Sequence, residues 1–237
     1  MNILSWWRKL LSAKRCVLCH DSDHSDGLCR FCAEDLSDLY TDSGNSCPRC
    51  AGHSTGGAVC GQCQNRPPPF ERLWASVYYE PPLSNMIQAF KHKADLSMLP
   101  PLAALMKSHP PDWLSDGLID CILAMPLSKE RRLFRGFNQC DELARLLGRY
   151  YRLPVLPHNT VTRLHRPPQS TLKSSERQRN IVKAFQVANK VVERRKILLI
   201  DDVVTTGATL TELAQTLKKS GAEQIFCWTL ARPQWKK

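Results

Sequence analysis

The sequence has no long apolar run and no recognisable secretory signal, and each absence excludes a class of protein. No stretch approaches the 18 or more apolar residues that a membrane-spanning helix requires, so an integral membrane protein with helical spans is excluded. Only short apolar pieces flank Arg8 and Lys9, which is unlike a secretory leader. We therefore expect a cytoplasmic protein, in a compartment where disulfide bonds are rare.

The chain also lacks an acidic excess, because 33 Lys and Arg residues stand against 22 Asp and Glu residues and give a net charge of +11. Residues 129–196 hold 17 basic and five acidic side chains, whereas residues 1–70 hold seven of each. This concentration indicates an anionic partner at 129–196, and a solvated basic face is the alternative. The hydrophobic fraction of 43% predicts a packed core.

None of the seven histidines has a partner at metal-ligand spacing, but eight of the eleven cysteines form a regular pattern. The unit C-x2-C-x9-C-x2-C occurs twice, and its cysteines are Cys16, Cys19, Cys29 and Cys32, then Cys47, Cys50, Cys60 and Cys63. Two thiolates three residues apart can bind one ion from a tight turn, and a second such pair completes a tetrahedron. We predict two structural Zn²⁺ sites. The equal gaps favour sequential sites, while interleaved pairing and iron–sulfur ligation are the alternatives.

Composition divides the chain into four predicted segments. Residues 1–15 have apolar residues at helical spacing between basic ones, which predicts an amphipathic helix that contacts a membrane surface peripherally or packs on its own protein. Residues 16–66 predict a double zinc ribbon, and three prolines predict a linker at 67–72. Residues 73–237 alternate between strand and helix patterns, which favours a parallel α/β sheet with helices on both faces.

Within the last segment, apolar periodicity predicts individual elements. The predicted strands are 73–79, 118–125, 197–200 and 225–230. The predicted helices are 85–91, 100–107, 138–152 and 210–219. The three cysteines outside the repeated unit fall in these patterns, and we expect them to be small buried residues; they are Cys121, Cys140 and Cys227.

The strand predicted at 197–200 is followed by two carboxylates, Asp201 and Asp202, and by a loop that opens a helix. Ligands of parallel sheets bind at the carboxyl ends of strands, and a helix N-terminus attracts phosphate. The loop residues are Thr205, Thr206, Gly207, Ala208 and Thr209. No lysine follows the glycine, so this is not a GxxxxGK[ST] nucleotide loop. Adjacent carboxylates accept hydrogen bonds from a vicinal diol, so the segment predicts a site for ribose 5-phosphate.

Residues 197–209 resemble the phosphoribosyl pyrophosphate signature of type I phosphoribosyltransferases. That resemblance implies a phosphoribosyltransferase-like fold in which Asp201 and Asp202 hold the ribose hydroxyls and residues 205–209 hold the 5-phosphate. Together with Arg135-Gly136-Phe137-Asn138-Gln139, the segment 169–185 and the cysteine pattern, it makes the chain resemble the competence protein ComF family. Members are bacterial cytoplasmic proteins associated with DNA uptake in natural transformation or with use of DNA as a nutrient.

The resemblance leaves two functions open. An active transferase would use Asp201 and Asp202 as catalytic residues and displace pyrophosphate, bound to Mg²⁺, from phosphoribosyl pyrophosphate. A nucleic-acid-handling protein would hold single-stranded DNA by its phosphates, and its zinc ribbon would dock DNA-uptake or recombination proteins. Both functions use the same predicted cations, Lys129, Arg131, Arg132, Arg135, Arg177 and Arg179. The groove for DNA would also contain Arg163, Arg166 and Lys173. Residues 74–107 contain no base-recognition pattern, so no acceptor is predicted, and we rank DNA handling first.

Overall fold

The computed structural model describes residues 15–21, 26–164, 184–188 and 190–234. Its strands are β1 (Arg72–Tyr78), β2 (Cys121–Ala124), β3 (Val161–Arg163), β4 (Phe185–Val187), β5 (Lys196–Val203) and β6 (Gln224–Arg232). Its α-helices are α1 (Arg30–Ser37), α2 (Gly61–Asn65), α3 (Leu83–His92), α4 (Leu99–Ser108), α5 (Lys129–Arg135), α6 (Gln139–Tyr151) and α7 (Ala208–Lys219). Short 3₁₀ helices span Ser43–Asn45, Thr55–Gly57, Leu96–Met98, Asp112–Asp116 and Lys190–Val192.

Four strands form one parallel sheet in the order β1-β6-β5-β2. The central strands β5 and β6 are buried along almost their whole length, which requires that both faces of the sheet be covered. The helix α6 packs against β2 and β5, and α7 packs against β6 and β4. The strands β3 and β4 form a separate antiparallel pair. The predicted α/β class with a parallel sheet is confirmed.

Three strands differ in length from the sequence prediction, and one of them, β6, extends beyond 225–230 at both ends. The strand β2 is shorter than 118–125, because the chain before it turns through Gly117 in the left-handed region and leaves Leu118 partly exposed. The strand β5 is longer than 197–200, because its pairing with β6 continues beyond the apolar residues, with Asp201 opposite Thr229. The two carboxylates therefore lie within the strand and are buried.

The N-terminal cysteine-rich region packs directly on the edge of the sheet beside β1. Tyr40 forms an antiparallel bridge with Val77, and the N–H of Tyr78 donates to the carbonyl of Leu39 at 2.7 Å. The buried side chains of Leu36 and Ala51 belong to the same apolar cluster as the residues of the sheet. Among the described residues, no helix is long and apolar enough to cross a membrane.

Candidate functional site

The first turn of α6 is fixed to the carboxyl end of β2 by Asn138. The side chain of this residue caps the helix by accepting from the N–H of Cys140 at 3.2 Å, and it donates to the carbonyl of Met125 at 3.0 Å. Asparagine suits this position because its side chain can accept and donate at once. The amphipathic helix then buries Leu143 and Leu147 and directs its first residues towards β5.

The two carboxylates of β5 meet donors from three directions. The ammonium group of Lys91, near the end of α3, lies 2.9 Å from Oδ1 of Asp202. The side-chain amide of Gln139 donates to Oδ2 of Asp202 at 2.6 Å. Oδ1 of Asp201 accepts from the thiol of Cys140 at 3.4 Å and from the N–H of Asp202 at 2.9 Å. The acid pair, by which we mean Asp201 and Asp202, is therefore held by α3, by α6 and by its own backbone.

Burial changes the protonation of this cluster. Burial, and after it the negative charge of Asp202, raise the pKa of Asp201 to about 7. Burial beside both carboxylates also raises the pKa of Cys140 well above that of an ordinary thiol. Cys140 is therefore a neutral thiol that donates its proton to Asp201, and Asp201 changes its charge near neutral pH.

The loop between β5 and α7 has the backbone that the sequence pattern predicted. Gly207 has a φ of 73° and precedes the helix, so it occupies the left-handed region that favours glycine. Thr205 and Thr206 are exposed, while Ala208 and Thr209 are partly buried in the first turn of α7. The side chain of Thr206 accepts from the N–H of Ala208 at 3.4 Å. The threonine hydroxyl groups of the loop and the free N–H groups at the start of the twelve-residue helix α7 thus lie at one end of the sheet, beside Asp201 and Asp202.

The predicted cations of residues 129–135 lie on α5, which connects β2 to α6. Lys129 and Arg131 are exposed. Arg132 forms an ion pair with Asp141 at 3.6 Å, and Arg135 donates a hydrogen bond to Gln139. Because Gln139 in turn donates to Asp202, Arg135 is connected to the acid pair through one side chain. The structure thus separates two cations that face solvent from two that hold neighbouring side chains.

Two further residues stand beside this helix. The ring of Phe134 is 94% exposed, which is unusual for a large apolar side chain. Arg163, on β3, pairs with Ser128 by a parallel backbone bridge and lies over the ring of Phe185 at 5.5 Å. Burial, followed by the nearby charge of Arg131, lowers the pKa of Arg163, while Asp201 opposes this shift. Arg163 is therefore a cation close to both the basic helix and the acid pair.

The eight repeated cysteines form two groups of four, and within each group the sulfur atoms all lie within 4.8 Å of one another. One group contains Cys16, Cys19, Cys29 and Cys32, and the other contains Cys47, Cys50, Cys60 and Cys63. The grouping is sequential, as the equal spacing favoured. The sulfur atoms of Cys19 and Cys29 are 3.6 Å apart, and those of Cys50 and Cys60 are 3.8 Å apart. A tetrahedral zinc with Zn–S bonds of about 2.3 Å requires sulfur separations of about 3.8 Å, so both groups fit Zn²⁺.

Backbone N–H groups favour the thiolate form of one cysteine in each group. Burial opposes ionisation, but hydrogen bonds from the backbone N–H groups of Cys19 and Cys29 outweigh it and lower the pKa of Cys16 to about 6. In the same way, N–H groups that include that of Cys60 lower the pKa of Cys47 to about 7 against the effect of burial. Burial raises the pKa of Cys50 to about 11, and a bound cation would lower it.

The acid pair is a different kind of site. Lys91 already supplies a positive charge to Asp202, and the amide of Gln139 occupies the other oxygen of that carboxylate. A divalent cation bound directly to Asp202 would displace these donors and would lie against the ammonium group. The arrangement therefore does not fit Mg²⁺ bound directly by the acid pair.

Some predictions fall outside the described residues. Arg166, Lys173, Arg177 and Arg179 lie in the segment 165–183, and the predicted amphipathic helix lies almost wholly in residues 1–14. Both remain predictions from sequence.

Sequence reasoning missed Lys91, and it treated Cys140 only as a small buried residue. It named Arg163 as a candidate contact for DNA phosphates but did not place it near the acid pair. Cys140 is buried, as are Cys121 and Cys227. The position of Cys140 just after the helix cap Asn138 is a local signal that could have placed it near the strand ends. Lys91 lies 111 residues before Asp202 on a helix without a motif, so no local pattern connects the two.

Comparison with known proteins agrees with this architecture. Residues 158–236 match the family described as the phosphoribosyl transferase domain. The chain is 33% identical over 227 residues to "Competence protein F" of Haemophilus influenzae, which covers 92% of this chain and 96% of that protein. It is 35% identical over 211 residues to "DNA utilization protein YhgH" of Escherichia coli strain K12, covering 87% of this chain and 90% of that protein. It is 31% identical over 210 residues to "Competence protein ComFC" of Bacillus subtilis, covering 86% and 84%. The chain belongs to the ComF family of competence and DNA-utilization proteins.

Proposed function

We propose that this protein handles internalised single-stranded DNA in the cytoplasm, in natural transformation or in the use of DNA as a nutrient, and that its β5–α7 loop binds a phosphoribosyl group. The observation that carries the proposal is the position of α5. Its exposed cations and its exposed aromatic ring are joined to α6, whose first turn contacts Asp202. The names of the related proteins, which refer to competence and DNA utilization, support the same function.

A single strand of DNA offers phosphates and unpaired bases, and α5 carries side chains suited to each. Lys129 and Arg131 present positive charges to solvent, which suits phosphates spaced along a backbone. Phe134 presents an aromatic face on which any base can stack, so binding by this helix would not depend on sequence. The phosphoribosyl pocket would then hold one nucleotide of the strand or its 5′-phosphate end.

The metal and partner assignments belong to the same proposal. Two Zn²⁺ ions held by the cysteine groups would stabilise the ribbon, and four thiolates leave no open position for catalysis. A ribbon with two such sites presents a surface without excess positive charge, and we propose that it docks DNA-uptake or recombination proteins rather than DNA. Residues 1–15 would provide a peripheral contact with a membrane surface.

The alternative function is an active phosphoribosyltransferase. In that case phosphoribosyl pyrophosphate would bind with its pyrophosphate on Mg²⁺, and Arg131, Arg163 and the predicted Arg177 and Arg179 would stabilise the charge of the leaving group. The acid pair would hold the ribose hydroxyls. The observation that favours this function is the match of residues 158–236 to the phosphoribosyl transferase domain, which spans the acid pair and the loop.

The salt dependence of DNA binding tests the proposed function. The logarithm of the affinity for a single strand falls linearly with the logarithm of the salt concentration, with a slope of about −0.7 for each phosphate contacted. Replacing Lys129 and Arg131 by alanine should therefore flatten the slope by about 1.4, measured by fluorescence anisotropy of a labelled oligothymidine. Phe134→Ala should weaken binding by about 1–3 kcal/mol and leave the slope unchanged, because stacking releases no counterions.

A matched control is available on other helices. Arg149 and Lys219 are exposed basic residues on α6 and α7, and their replacement by alanine removes the same charge from the protein. This control variant should retain the wild-type slope. Equal slopes in the Lys129/Arg131 variant and the wild type would remove α5 from the binding surface.

A further inference from the structure

The contact between Lys91 and Asp202 joins two parts of the fold that are distant in sequence. Lys91 belongs to α3, and its ammonium group lies 2.9 Å from Oδ1 of Asp202 on β5. The side chain of Lys91 is 19% exposed and that of Asp202 is 8% exposed. An ion pair this far from solvent is screened much less than one on the surface.

The surroundings of the pair resemble a cation site in which the ammonium group takes the place of the ion. One sulfur and two carboxylate oxygens, from Cys140, Asp201 and Asp202, lie within 4.8 Å of one another. Lys91 is directed at this group, and Gln139 donates to the carboxylate oxygen that Lys91 does not contact. The nearby guanidinium of Arg163 adds a second positive charge.

We propose that Lys91 is a tethered cation that replaces a divalent ion at the acid pair and allows the pocket to bind a ribose phosphate ester without one. The inference deepens the proposed phosphoribosyl pocket and rests on it. When Lys91 neutralises Asp202, the other carboxylate, Asp201, remains the acceptor for a ribose hydroxyl. Lys91 is thus a positioning residue, because it sets the charge of Asp202 and holds α3 against β5.

Removal of the ammonium group should change which ions the acid pair can bind. In Lys91→Met the stem of the side chain is kept and the charge is lost, so Asp202 loses the cation that contacts it. A divalent ion can then take the place of the ammonium group beside this buried carboxylate. The variant should therefore acquire a divalent-cation site that the wild type lacks.

Mn²⁺ titration followed by electron paramagnetic resonance tests this, since bound Mn²⁺ loses the sharp signal of the free ion. With zinc-loaded full-length protein, Lys91→Met should bind one Mn²⁺ at least about tenfold more tightly than the wild type. Lys91→Arg, which keeps the charge, should behave as the wild type does. Lys93→Met is the matched control, because Lys93 is an exposed lysine at the end of the same helix. Adding Asp202→Asn to Lys91→Met should remove the gain.

The outcomes separate this inference from the pocket itself. Equal Mn²⁺ affinity in the wild type and in a folded Lys91→Met or Lys91→Gln, with folding checked by circular dichroism, would overturn it. A second experiment measures the affinity for ribose 5-phosphate by calorimetric titration. The wild type should bind this ester equally well with and without added Mg²⁺, and a requirement for Mg²⁺ would overturn the inference. If no variant binds ribose 5-phosphate but the Mn²⁺ site appears in Lys91→Met, the pocket fails and the role of Lys91 as a tethered cation stands.

Discussion

At the scale of single residues, the acid pair shows how one strand gives two adjacent carboxylates different properties. Asp202 has an ammonium group and an amide as partners, whereas Asp201 has a thiol and one backbone N–H. Burial then raises the pKa of Asp201 to about 7. Asp201 is thus a carboxyl group whose charge changes near neutral pH.

This shift makes stability depend on pH. The pKa of Asp201 is raised in the folded state, so the folded protein binds more protons than the unfolded chain between pH 4 and pH 7, and stability falls as the pH rises through that window. Asp201→Asn removes the effect. The free energy of unfolding of this variant minus that of the wild type should therefore be larger at pH 8 than at pH 6 by about 1 kcal/mol, measured by denaturant titration.

Asp112→Asn is the matched control for this measurement, since it makes the same substitution at an aspartate whose side chain is 86% exposed. The free energy of unfolding of this variant relative to the wild type should change less between the two pH values. Identical values at pH 6 and pH 8 for Asp201→Asn would show that this carboxyl group titrates normally.

At the scale of elements, the sequence predicted the kind of element well and its ends less well. The periodicity of apolar residues at 138–152 predicted α6 within one residue at each end, because Asn138 is a strong helix cap. The end of β5 was wrong, because strand pairing with β6 carries the backbone past the last apolar residue. The hydrophobic pattern indicates which side chains are buried, whereas the length of a strand also depends on the strands to which it is hydrogen-bonded.

In the candidate site, too, some residues could be predicted from the sequence and others could not. Residues 201–209 were predicted because ligand groups that follow one strand are contiguous in sequence. Lys91 was missed, and the position of Arg163 near the acids was not predicted, because Lys91 on α3 and Arg163 on β3 reach the acids only through the tertiary fold. The role of α5 was predicted in part: its charges were counted, but the ion pair of Arg132 and the hydrogen bond of Arg135 depend on α6.

At the scale of the whole molecule, the cysteine-rich region and the sheet share backbone contacts. The N–H of Leu73 in β1 donates to the carbonyl of Pro48 at 3.3 Å, between two cysteines of the second group. Arg232, at the end of β6, donates to the carbonyl of Cys50 at 3.4 Å. Burial lowers the pKa of Arg232, and the charges of Cys50 and Tyr78 oppose that shift. Metal binding by the second group should therefore stabilise the sheet.

Zinc analysis and melting of the purified protein test this connection. The wild type should contain close to two zinc ions for each chain, and Cys50→Ser should contain about one. Its melting temperature should fall further than that of Cys121→Ser, which alters a buried cysteine in β2 outside both groups. Zinc contents of one or none in the wild type would contradict the two-site assignment.

The central claim is that the acid pair and the β5–α7 loop bind a phosphoribosyl group, and ligand-induced stabilisation tests it most directly. Phosphoribosyl pyrophosphate with Mg²⁺, at a hundred times its Kd, should stabilise the protein by about 2.7 kcal/mol, which corresponds to a rise in melting temperature of roughly 5–10 °C. Pyrophosphate with Mg²⁺, which lacks the ribose, should give a smaller rise, and the Asp201→Asn/Asp202→Asn variant should lose the difference between the two ligands. No rise in the wild type, or an equal rise with both ligands, would contradict the account.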